Sequence, residues 1–154
     1  MAVSPDPIEG FSARGSLGFL LRRAQKLMSQ QAEQLFDGCD LTLSQWIVLE
    51  LIEEGLVRTP GEAAATLGHN TGATTRLIDQ LEDQGLVERR RDSSDRRQVS
   101  LTLTPSGRSM AKAWAGVMAG FFEELLAAFT PAEVDTMMGL MSRLVDRLEA
   151  RDTS

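Results

Sequence analysis

Tyrosine is absent from the 154 residues, and cysteine and histidine each occur once, as Cys39 and His69. A single thiol excludes a disulfide within the chain and fits a reducing cytoplasm. One cysteine and one histidine leave no cluster for zinc, so neither a metal nor another cofactor is expected. The same scarcity leaves no nucleophile with its base, and an enzyme is not expected. There is no basic-then-apolar leader, and no uninterrupted apolar run approaches the roughly 18 residues a membrane span needs. A soluble cytoplasmic chain with no membrane partner is the expectation. Repeats of the solenoid kind are also missing.

What is present is ordinary for a globular protein: 42% hydrophobic and 25% charged residues. The length suffices for one substantial core, or for a compact domain with an extension that needs a partner. The net charge of -6 is unevenly spread, because Arg89 to Arg97 holds five arginines against two aspartates, a local +3. Where positive charge lies matters more for nucleic-acid binding than its sum.

Taken in order, Leu17, Leu20, Leu21, Ala24, Leu27, Met28, Gln31 and Leu35 form one stripe of a helix over 16–36, ending before Gly38. Thr42 and Gln45 have the spacing of a capping box that starts a helix carrying Trp46, Ile47, Leu49, Leu51 and Ile52. Thr59-Pro60-Gly61-Glu62 repeats the device, with proline at the first helical position. Gly68-His69-Asn70 is then the turn of a helix-turn-helix, and Asn70 or Thr71 caps its second helix.

From Asn70 to Leu103 the hydrophobic period changes from helical, at Leu77, Ile78 and Leu81, to alternating, at Val99, Leu101 and Leu103. Gly85 stops the helix, and Asp92-Ser93-Ser94-Asp95 supplies turn chemistry to a hairpin. In a helix-turn-helix the second helix puts its N-terminal residues nearest the base edges; here those are Thr71, Gly72, Ala73, Thr75 and Arg76. Gly72 and Ala73 permit close approach, Thr75 can donate, accept or touch a thymine methyl, and Arg76 can grip guanine or phosphate. Thr74, Leu77, Ile78 and Leu81 are expected to face the core. The arginines around the hairpin turn repel one another unless something negative meets them.

Thr104-Pro105 and Thr130-Pro131-Ala132-Glu133 begin the last two helices, whose apolar residues extend well round both axes. Such surfaces would be exposed in a lone chain, which points to terminal helices that build a dimer interface.

At this point the chain resembles the multiple antibiotic resistance regulator (MarR) family of bacterial winged-helix transcription factors. The resemblance is carried by Leu41-Thr42-Leu43-Ser44-Gln45-Trp46, Arg76-Leu77-Ile78-Asp79-Gln80-Leu81-Glu82, Gly85-Leu86-Val87-Glu88-Arg89, Asp95-Arg96-Arg97 and Leu101-Thr102-Leu103-Thr104-Pro105-Ser106-Gly107. It implies a mainly α fold with a small β-wing: a winged helix-turn-helix over 41–104, a flexible arm over 1–12, and dimerisation helices over 13–38 and 105–150. It further implies a homodimer on a pseudo-palindromic operator in double-stranded DNA. The DNA contacts are then Thr71, Gly72, Ala73, Thr75 and Arg76 from the helix, with Arg91, Ser94, Arg96 and Arg97 from the wing. Asp95 braces the wing, Arg97 enters the minor groove, and Asp79 partners a wing arginine. Gly72 and Ala73 depart from the hydroxyl-bearing residues common at those positions.

Small aromatic or carboxylate effectors of the family bind between the dimerisation helices and the winged domain, which nominates Arg22, Arg23 and Trp46. Trp46 and Trp114 also read as core or interface residues. Cys39 has no basic neighbour and no tyrosine to support a sulfenate, so it reads as a partly buried structural thiol rather than an oxidant sensor. His69 reads as a turn residue that touches phosphate. The expected function is a transcription repressor released by an effector; the alternative is a winged-helix protein-interaction module without DNA, against which the wing arginines speak.

Overall fold

Side chains within a few residues of each helix start decide where the helices begin. The computed structural model describes residues 16–68, 70–91 and 99–152. Among them the order is α1 (Leu17–Leu35), α2 (Leu43–Glu53), α3 (Pro60–Leu67), α4 (Thr71–Asp83), β1 (Val87–Arg91), β2 (Val99–Leu103), α5 (Pro105–Leu126) and α6 (Pro131–Asp152). Ser16 caps α1 through its hydroxyl. Thr42 with Gln45, and Thr59 with Glu62, close reciprocal capping boxes on α2 and α3. Thr130 and Glu133 do the same for α6, where the Thr130 N–H donates to the Glu133 carboxylate at 2.8 Å. Each such cap is worth about 1 kcal/mol. The bonds from Thr130 hold the Glu133 carboxyl below its ordinary titration range.

The chain divides into two compact units, one through Trp114 and one from Ala115, with the division inside α5 rather than at its start. In the first unit Val48 and Leu49 of α2, Ala63 of α3, Ile78 and Leu81 of α4, and Val87, Leu101 and Leu103 of the hairpin make the buried core. The hairpin pairs antiparallel, with Val87 opposite Leu103 and Arg91 opposite Val99. Its second strand takes a further bond along the other edge, from the Leu101 N–H to the Arg58 carbonyl at 2.7 Å. The beginning of α5 belongs to this unit because Trp46 donates from Nε1 to the Ala111 carbonyl at 3.4 Å and Phe36 stacks on Trp114 with ring centres 3.9 Å apart. The second unit holds the rest of α5 and α6, and Val117, Phe122, Leu125, Met138, Leu140, Val145 and Leu148 are exposed on it. No single helix among the described residues is long and apolar enough to cross a membrane.

One junction joins α4, the hairpin and α5. Gly85 ends the α4 turn at φ +69°, in the left-handed region. The Thr104 hydroxyl donates to the Gly85 carbonyl at 2.6 Å and accepts from the Gly107 N–H at 3.0 Å, while the Thr104 N–H donates to the Leu86 carbonyl at 3.1 Å. The backbones meet so closely that a Cβ on Gly107 would stand 2.0 Å from the Leu86 carbonyl oxygen. Backbone cannot yield as a flexible side chain can. Gly107→Ala is therefore expected to destabilise the fold by about 3 kcal/mol or more, at or beyond the upper end of overpacking costs; urea unfolding with a midpoint near that of the wild type would show that the junction relaxes.

Candidate nucleic-acid interface

The helix α4 has one face for the core and one for solvent. Thr74, Ile78 and Leu81 are buried, as the helical period requires. Leu77 is only half-buried, a correction to its expected core position: it lies toward the edge of the apolar stripe and keeps partial contact with solvent. Thr71, Gly72, Ala73, Thr75 and Arg76 are all exposed on the first two turns.

Asn70, not Thr71, caps this helix, its side-chain oxygen accepting from the Ala73 N–H at 2.8 Å. Thr75 donates its hydroxyl proton to the Thr71 carbonyl at 2.8 Å. That leaves the Thr75 oxygen as an acceptor and its methyl as an apolar contact, a narrower role than the residue type alone allows. A Cβ on Gly72 would meet only the Asn70 side chain, at 3.5 Å, so space rather than backbone conformation is what this glycine provides. Preceding the helix, α3 is followed by Gly68; His69 lies outside the described residues.

At the base of the hairpin Arg89 reaches back to α4. Its guanidinium donates to Asp79 at 2.6 Å and to Glu82 at 2.5 Å. Burial, the largest single influence, works against the charge, but the bonds to the two carboxylates outweigh it, and the net result raises the Arg89 pKa. Asp79 thus meets an arginine of the hairpin, and Glu82, which the sequence reading passed over, meets the same one. The signal was present in two acids three positions apart on one helix, ahead of a strand that ends in three arginines. Arg90 lies 3.3 Å from Glu88, with both side chains well exposed. Ser94, Asp95, Arg96 and Arg97 are outside the described residues, as is the side chain of Arg91.

An exposed polar start on α4, a buried opposite face and a hairpin tied to that helix by Arg89 are the geometry of a winged helix-turn-helix. A model of the MarR family matches residues 40–98. The organic hydroperoxide resistance transcriptional regulator of Bacillus subtilis is 32% identical over 91 residues, 59% of this chain and 62% of the relative. The alignment thus spans a little under two thirds of that relative's length. The transcriptional repressor MprA of Escherichia coli is 27% identical over 84% of this chain and 70% of its own. The crystal structure of wild-type MarR in its apo form, from E. coli, superposes with a TM-score of 0.72 at 28% identity, covering 84% of this chain and 96% of that one. Over these spans the chain is similar to transcription regulators of the MarR family. Its relatives here are transcription regulators, not enzymes.

The residues nominated for an effector do not meet. Arg22 and Arg23 are exposed on α1, and among the described residues no hydrogen bond or ion pair joins them to Trp46. Trp46 is half-buried, with its ring centre 6.5 Å from that of Phe36. At the rise of a regular helix Arg22 and Arg23 lie about 20 Å from Phe36, too far for one small molecule to touch both ends. A cavity of about 430 Å³ does open beside Phe36, lined by Glu33, Asp37, Cys39, Leu41, Thr42 and their neighbours. Cys39 is exposed there, which corrects its expected partial burial: the segment after α1 turns outward, and the thiol turns with it.

The Arg89 contacts are testable directly. All three side chains keep solvent access, so Arg89→Gln should lower the unfolding free energy by only about 1 kcal/mol. In a double-mutant cycle with Asp79→Asn the coupling should be about 0.5 kcal/mol and fade as salt is added. A coupling of zero at low salt would show that the pair does not tie the hairpin to α4.

Proposed function

We propose that this chain is a homodimeric, sequence-specific DNA-binding transcription repressor released by a small effector. The observation that carries the reading is the split of α4: Thr74, Ile78 and Leu81 are buried while Thr71, Gly72, Ala73, Thr75 and Arg76 stand exposed on the turns a reading helix presents to a major groove. In this reading Arg91, Ser94, Arg96 and Arg97 carry the wing contacts, and Asp79 and Asp95 brace the wing. Residues 41–104 form the reading domain.

Pairing of two chains through 13–38 and 105–150 is supported by where apolar surface is left. Among the described residues, every large hydrophobic side chain found exposed, except Leu56, lies on α1, the later part of α5, α6 or the α5–α6 turn. Water would penalise that surface by roughly 25 cal/mol per Å² relative to burial, so a second chain is its natural cover. Two reading helices then address half-sites about one DNA turn apart. The separation of Arg22 and Arg23 from Trp46 favours an effector, aromatic or carboxylate, that bridges groups of both chains. Such a ligand releases DNA only by binding better to a dimer whose reading helices are wrongly spaced.

The test is binding to duplexes enriched from a randomised library, measured across a salt series. Affinity should fall steeply with salt as counterions are released; undetectable or salt-insensitive binding would sink the proposal. Arg76→Ala should cost about 1–3 kcal/mol and relax preference at one base position, whereas uniform weakening on every duplex would reassign Arg76 to phosphate.

A further inference from the structure

The N-terminal turn of α2 carries a side-chain amide that cannot turn over. Gln45 is 4% exposed. Its Oε1 accepts from the Thr42 N–H at 2.9 Å to complete the capping box, and only an oxygen can accept there. The amide is therefore locked with Nε2 pointing away, and Nε2 donates to Oε1 of Gln80 on α4 at 3.2 Å. At the C-cap of α4, four positions on, Gln84 donates from Nε2 to the Asp40 carbonyl at 3.0 Å. The segment from Asp40 to Gln45 thus holds α4 at two points near its C-terminal end. The reading residues Thr71 to Arg76 project beyond both.

The same turn of α2 faces a second way. Trp46, next to Gln45, donates to the Ala111 carbonyl of α5, and Phe36 at the end of α1 stacks on Trp114. One turn of α2 thus bonds to α4 through Gln45 and to α5 through Trp46.

We infer that Gln80 is a positioning residue for DNA reading: as the obligatory acceptor for the locked Gln45 amide, it sets the angle at which α4 presents Thr71 to Arg76. This rests on the reading of α4 as the DNA-recognition helix. Position 80 must then accept, and the chemistry separates substitutions of similar size. Gln80→Glu keeps an oxygen opposite Gln45. Gln80→Met keeps the length and removes the acceptor, leaving a buried N–H without its partner.

The experiment uses the full chain and a duplex enriched by the wild-type protein from a randomised library, with an alternating dI–dC polymer as the non-specific competitor. The readout is the ratio of specific to non-specific affinity, which cancels the extra negative charge of Gln80→Glu. Gln80→Met should lower that ratio about tenfold with an unchanged salt slope, because no phosphate contact is removed. Gln80→Glu should hold it within about twofold. Gln84→Ala, which loosens the second point, should lower the ratio in the same direction without touching the Gln45 amide. A wild-type ratio for Gln80→Met, or an equal loss for Gln80→Glu, overturns the positioning role while leaving the DNA reading intact. If the wild-type chain enriches no duplex, the reading itself fails and the positioning role fails with it.

Discussion

The close approach of two backbones at Leu86 and Gly107 is the constraint on which the arrangement of the first unit depends. A side chain at position 107 would occupy the space of the Leu86 carbonyl. With glycine there, Thr104 can bond to both Gly85 and Leu86, and the end of α4, the base of the hairpin and the start of α5 become one junction. The hairpin therefore leaves α4 in a direction set by hydrogen bonds between backbones rather than by side-chain packing alone. Arg89 adds a second attachment between the same two elements, from the strand back to Asp79 and Glu82.

Such attachments redistribute the charge that a residue count suggests. Arg89 is committed to two carboxylates of α4, and Arg90 shares the surface with Glu88. An anionic partner at the hairpin thus meets less free positive charge than the run of arginines promises. In a chain of net charge -6, the acids that do this balancing are partly the residues that hold the hairpin in place. Architecture and electrostatics are therefore not independent here, since the two carboxylates that attach the hairpin to α4 are the ones that neutralise its Arg89.

Much of this was legible in the sequence where causes are local. The capping pairs Thr42 with Gln45 and Thr59 with Glu62, the left-handed stop at Gly85, and the buried face through Thr74, Ile78 and Leu81 each depend on residues a few positions apart. What escaped depends on distance along the chain. Gln45 meets Gln80 across 35 positions, and Gly107 meets Leu86 only after the hairpin has folded back. The exposure of Cys39 was misjudged because free cysteines are commonly buried, whereas the turn after α1 carries this one to the surface. At the candidate site the outward residues of α4 followed from helical period, but the committed hydroxyl of Thr75 did not, since the residue type permits several partners. Arg22, Arg23 and Trp46 came from the family resemblance, which says nothing of their separation within one chain.

The reciprocal caps on α2, α3 and α6 also have a meaning in time. Each closes between residues three positions apart, so it can form in a chain that has made no long-range contact. Local helix relaxation takes about a microsecond, whereas bringing distant strands and junctions together is slower. The beginnings of these three helices thus need no distant part of the chain to define them. Seating Gly107 on Leu86 and closing the amide of Gln45 on α4, by contrast, require separate parts of the chain to come together first.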